Sequence, residues 1–86
     1  METRVAVVSI IVEDPESVET LNGILHDYRV WIIGRMGIPY RQKGVSIISV
    51  AIDAPQNTIS ALAGKLGNLP GVNAKIAYSN IISTQE

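Results

Sequence analysis

Two segments of this chain, Val5–Val12 and Val45–Ile52, are apolar at almost every position, so as β-strands they ask for cover on both faces. Yet the 86 residues hold helical periodicity in only two places. Two helices cover one face of a small sheet, and the other face then needs cover from outside the chain or stays against water. The pattern therefore predicts self-assembly.

The remaining elements follow from spacing and punctuation. Arg4–Val12 is rich in the β-branched types that favour pleated structure and ends at Glu13-Asp14-Pro15. Asp14 is placed to cap a helix, with Pro15 at its first position and Glu16 in the first turn, where a carboxylate meets the positive end of the helix dipole. Val18, Leu21, Leu25 and Tyr28 then recur at spacings of three and four, predicting a first helix to about Tyr28. Val30–Ile38 is extended in character but contains Gly34 and Gly37 and stops at Pro39, as an edge or bulged strand does. After a turn at Gln42-Lys43-Gly44, the strand Val45–Ile52 is followed by a second helix from about Asn57 or Thr58. That helix carries Ile59, Leu62, Ala63 and Leu66 on one face, with Gly67 at the expected left-handed cap. Leu69-Pro70-Gly71 leads into a fourth strand, Val72–Tyr78, whose apolar and polar positions alternate. The tail from Ser79 reads equally as a short added strand or a frayed end.

The order β-α-β-β-α-β predicts an α+β, ferredoxin-like two-layer sandwich, a four-stranded antiparallel sheet with both helices on one face, in one domain spanning residues 1–86. In that plan the first and third strands are central and the second and fourth lie at the edges. On the first strand, Ala6, Val8, Ile10 and Val12 are assigned to the helices, and Val5, Val7, Ser9 and Ile11 to the bare side. On the third, Ser46, Ile48, Val50 and Ile52 face the helices, and Val45, Ile47, Ser49 and Ala51 face away. Val5, Val7, Ile11, Val45 and Ile47 are the predicted oligomer interface, where full burial is worth about 1.5–3 kcal/mol per Val or Ile.

Composition narrows the chemistry. Seven Lys and Arg against eight Asp and Glu give a net charge of −1, so the chain lacks the basic excess that a phosphate backbone requires, and direct nucleic-acid binding by this chain alone is not expected. The absence of cysteine excludes a disulfide, a zinc knuckle and a thiol nucleophile. No run approaches the roughly 20 apolar residues of a membrane span, and no leader pattern opens the chain, so a cytoplasmic location off the membrane is expected. His26 is the sole histidine and cannot by itself form a multi-histidine metal site. Ser9, Ser46 and Ser49 have no histidine in pattern to activate them. No catalytic residue, metal or cofactor is assigned, and an enzyme is not expected. The segment Gly34–Arg41 stands out: two glycines admit close backbone approach, and Arg35 and Arg41 offer forked donors for a carboxylate or phosphate. Its spacing is not that of a P-loop, and a bulged edge strand with solvated arginines accounts for it structurally.

Arg35-Met36-Gly37-Ile38-Pro39-Tyr40-Arg41, together with Thr58–Gly67 and Leu69-Pro70-Gly71-Val72, resembles the iron-only hydrogenase system regulator family, the resemblance running from the N-terminal Met-Glu-Thr-Arg through the fourth strand. What that resemblance implies is an ACT-like ferredoxin fold, a homo-oligomer (dimer or tetramer), and a regulatory role exercised through a small effector or a regulatory protein. The alternative is an assembly protein with no ligand. Asp14, Glu16, Arg35, Gly37 and Arg41 are the candidate effector residues. Amino-acid-binding ACT domains often carry Asp-x-Pro-Gly at the start of their first helix, where this chain has Asp14-Pro15-Glu16-Ser17. Nickel-responsive relatives use several histidines and a cysteine, so nickel sensing by that route does not carry over. Nor does the expected start of the first strand, almost at the first residue, leave room for their N-terminal DNA-binding domain.

Overall fold

The structure, a computed structural model, describes residues 2–84. Its elements are β1 (Glu2–Val12), a 3-10 turn (Pro15–Ser17), α1 (Val18–Asp27), β2 (Ile32–Tyr40), β3 (Val45–Ala54), α2 (Gln56–Gly67) and β4 (Val72–Thr84). The sheet is antiparallel in the order β2-β3-β1-β4, the ferredoxin-like arrangement, with β1 and β3 central. One core joins the sheet to both helices. Ala6, Val8, Ile10 and Val12 of β1 and Ile48, Val50, Ile52 and Ala54 of β3 pack against Leu21 and Leu25 of α1 and Ile59, Leu62 and Leu66 of α2, all of them buried. Tyr28 and Trp31 close the core at the junction of α1 with β2.

Several boundaries differ from the sequence reading, each for a local reason. Asp14 does cap, its Oδ1 accepting from the Glu16 amide at 3.0 Å, but it caps the 3-10 turn that precedes α1. Gly67 is the last helical residue and not a left-handed cap. The chain leaves α2 through amide bonds from Asn68 to the Gly64 carbonyl and from Leu69 to that of Leu66, and the positive φ falls on Gly71. Pro39 lies within β2, where an edge strand tolerates a missing donor. The bulge in β2 sits at Ile33, between the pairs Ile32–Ile52 and Gly34–Ala51. The tail continues β4: after an irregularity opposite Arg4 and Ala6 it pairs again with β1 as far as Thr84 opposite Glu2, and residues 85–86 lie outside the described range. Arg4 lies against this stretch, its guanidinium 4.5 Å from the Tyr78 ring centre and donating to the Ser79 carbonyl at 3.0 Å.

The turn before β4 is strapped to the turn after β1. The Glu13 amide donates to the Gly71 carbonyl at 2.7 Å, and the buried Ser17 hydroxyl donates to the Pro70 carbonyl at 2.6 Å. A Cβ on Gly71 would stand 2.8 Å from the Asp14 backbone nitrogen, at a φ of +68°. Gly44, in the β2–β3 hairpin, has φ +67° and open space around it. Left-handed backbone costs an L-residue about 1–2 kcal/mol, so Gly44→Ala is expected to lose about that much in urea denaturation. Gly71→Ala is expected to lose clearly more, because the collision is with backbone that no rotamer relieves. Equal losses would show that the strap contributes nothing beyond backbone conformation.

Candidate functional site

The sheet face opposite the helices carries a continuous apolar surface. Register places Ile38, Ile47 and Ile11 side by side on β2, β3 and β1, and one step along it places Met36 beside Ser49 and Ser9. The next row is Ala51, Val7 and Ala77. Two ridges of branched and small apolar side chains thus flank a shallower row of serines. Val7 is 37%, Ile47 42% and Ile11 46% exposed, so each is already partly covered by its cross-strand neighbours and keeps a substantial remainder in water. Val5 is also exposed and Val45 is half-buried at the two ends. The surface becomes polar at Asn73 and Lys75 on β4. Asp53, opposite Val5, has a carboxylate oxygen shielded from solvent with no hydrogen-bond partner among the described residues.

The five residues expected at an interface, Val5, Val7, Ile11, Val45 and Ile47, all lie on this face. Sequence reasoning missed Met36, Ile38 and Tyr40, which extend it across β2. Their signal was present as a period of two, alternating with Arg35, Gly37 and Pro39, but the glycines and proline obscured it.

On the helix side a trough runs between α1 and β2. Past the bulge, the β2 positions that face the helices are Arg35, Gly37 and Pro39, opposite Val50, Ile48 and Ser46. These supply a cation, no side chain and a ring where the central strands supply Val and Ile. One hollow of ≈ 280 Å³ is lined by Asn22, His26, Arg29 and Arg35, and a second of ≈ 220 Å³ by Val18, Asn22, Arg35, Gly37, Pro39 and Ile48. They adjoin at Asn22 and Arg35, which line both. The Arg35 guanidinium donates to Asn22 Oδ1 at 3.0 Å, and Arg29 donates to the His26 carbonyl at 3.0 Å.

The structure therefore brings Arg35 and Gly37 together and leaves Asp14 and Glu16 out of the trough. Arg41 lines an adjoining hollow of ≈ 300 Å³, beside Pro15 and Tyr40, that shares Val18, Pro39 and Ser46 with the second hollow. Asp14 is engaged as a cap and packs against Gly71, and Glu16 is exposed outside these hollows. Asn22, His26 and Arg29 were missed as a group, although their spacing of four and three marks one helical face. Among the described residues no group of three His, Cys, Asp or Glu side chains is placed to hold a metal, and no helix is long and apolar enough to cross a membrane.

Residues 4–76 match the TM1266-like family, described as "Iron-only hydrogenase system regulator, putative". Among solved structures, that of the uncharacterized protein TM1266 from Thermotoga maritima is 31% identical with a TM-score of 0.85, over 88% of this chain and 96% of that one. A formyltetrahydrofolate deformylase from Pseudomonas putida KT2440 is 14% identical with a TM-score of 0.65, over 90% of this chain and 29% of the enzyme, a likeness of fold alone. No curated protein matches.

Arg35 stands in the trough by an exposed contact, so Arg35→Ala is expected to change the unfolding free energy by no more than about 0.5 kcal/mol. A much larger loss in chemical denaturation would make Arg35 a structural residue.

Proposed function

We propose a regulatory role for this chain, which belongs to the iron-only hydrogenase system regulator family: it is an ACT-like module that closes its open sheet face against a second copy and acts on the hydrogenase system through a small effector or a protein partner. The observation that carries the reading is the continuity of Ile38-Ile47-Ile11 and Ala51-Val7-Ala77 across three and more strands. Scattered surface hydrophobes are ordinary, whereas a contiguous apolar patch on central strands marks an interaction surface. A standard interface takes about 800 Å² from each partner, a small part of the 5570 Å² that this chain exposes. The ridges and the serine row between them give the face relief that a copy of itself can mesh with, and Asn73 and Lys75 supply a polar rim.

With a net charge of −1, the chain lacks the basic excess that a phosphate backbone requires, and regulation runs through protein or small-molecule contacts and not through DNA bound by this chain. Coupling then requires that the effector or partner bind two states of the assembly unequally. The expected setting is the cytoplasm.

The test is genetic, in a host that makes an iron-only hydrogenase. Deleting the gene is expected to change hydrogenase activity or transcript level several-fold, and the wild-type chain is expected to restore it. A double variant Ile11→Asp, Ile47→Asp, folded by circular dichroism, is expected not to restore it. A deletion without effect on the hydrogenase system would overturn the regulatory reading, and full rescue by the double variant would overturn the role of the sheet face.

A further inference from the structure

We propose that the trough between α1 and β2 binds a small organic anion, its carboxylate or phosphate held by Arg35 with Arg29 and His26 beside it and its apolar body lying over Gly37 and Ile48. This rests on the reading that the module responds to an effector, and it names the effector's class.

The trough exists because β2 withholds core-forming side chains from the helix side of the sheet. Val50 and Ile52 are wholly buried, but Ile48, opposite Gly37, retains 6% exposure, and a Cβ on Gly37 would meet nothing within 4 Å. A glycine that leaves open space above a core strand is a gap, and a gap of ≈ 220 Å³ admits a small apolar group. At its end Arg29 and Arg35 make the lining cationic. They line the adjoining ≈ 280 Å³ hollow with His26 beside them, and neither hollow is lined by an Asp or Glu. In a chain whose net charge is −1, that segregation is local.

Arg35 is also oriented. Among the described residues its one side-chain bond goes to a neutral amide oxygen on α1, which holds the guanidinium over the trough without neutralising it. A guanidinium carries five donors, so a forked pair stays free for a planar or tetrahedral anion. Arg29 is partly engaged at the end of α1 through the His26 carbonyl, which makes it the secondary contact. Inorganic phosphate would satisfy only the cationic end; the adjoining floor of Val18, Pro39 and Ile48 calls for carbon. An arginine turned inward on an edge strand also discourages strand addition, and that simpler role is separable by experiment.

The test titrates the full ¹⁵N-labelled chain, followed by NMR, with phenyl phosphate and with 4-phenylbutyrate. Inorganic phosphate and 4-phenylbutan-1-ol are the controls. At least one organic anion is expected to shift the amides of Asn22 and Gly34–Ile38, whichever binds tighter naming the headgroup, and both controls are expected to bind more weakly. Arg35→Gln is expected to weaken binding by about ten-fold or more. Gly37→Leu is expected to abolish it while leaving the melting temperature unchanged. The proposal is overturned if neither organic anion shifts these amides, if either control binds as tightly, or if Arg35→Gln leaves affinity unchanged and only promotes aggregation. Because the trough and the open face lie on opposite sides of the sheet, a failed titration with the deletion phenotype intact removes the anion site alone. A deletion without phenotype removes the regulatory reading whatever the titration shows.

Discussion

A sheet has two faces, and this chain has helices for one. Everything else in the structure follows from how that shortage is met. The even-numbered residues of β1 and their partners on β3 enclose a closed core with Leu21, Leu25, Ile59, Leu62 and Leu66. The odd-numbered residues of the same strands are nearly as apolar and face the other way. Since each of these side chains is already partly shielded by its neighbours, a partner recovers only the remaining exposure, about 1 kcal/mol per residue in place of the 1.5–3 of full burial. Several such contributions from each of two copies still make a substantial driving force, set against an association cost of roughly 4–15 kcal/mol. The breadth of the patch, extended across β2 by Met36, Ile38 and Tyr40, therefore matters more than any one residue in it.

The helix side shows the complementary economy of material. α2 lies over β4 and β1, and the edge strand β2 turns Arg35, Gly37 and Pro39 to the helix side in place of core-forming residues, with Arg35 bonded to Asn22 of α1. The same β2 thus contributes to both surfaces: its Met36, Ile38 and Tyr40 widen the apolar face, and its alternate positions open the trough. A ligand seated in the trough would press on the strand whose other side carries the apolar face. On the proposed reading, effector and assembly would then share one mechanical element, as coupling between two sites requires.

The central strands, the helix stripes and the strand order were legible in the sequence because each is a periodicity written in Val, Ile and Leu. The bare face was legible for the same reason, once the helices were counted. What escaped was decided by contacts between distant segments. Gly67 and Gly71 are both plausible left-handed glycines locally, and only the strap from Glu13 and Ser17 to the Pro70–Gly71 turn selects Gly71. The tail after Tyr78 becomes strand because β1 begins early enough to pair with it. In the candidate site, Arg35 and Gly37 drew attention by composition. Asn22 and His26 belong to that site only because β2 lies beside α1, and Asp14 is occupied by its own turn.

Sedimentation equilibrium of the unmodified chain, in the low micromolar range and at moderate salt, tests the central claim most directly. The account predicts a species of at least twice the 9.3 kDa chain mass, converted to monomer by the charge-bearing substitutions on the open face. A chain that stays at its monomer mass across that range, with Val7, Ile11 and Ile47 in water, would contradict it.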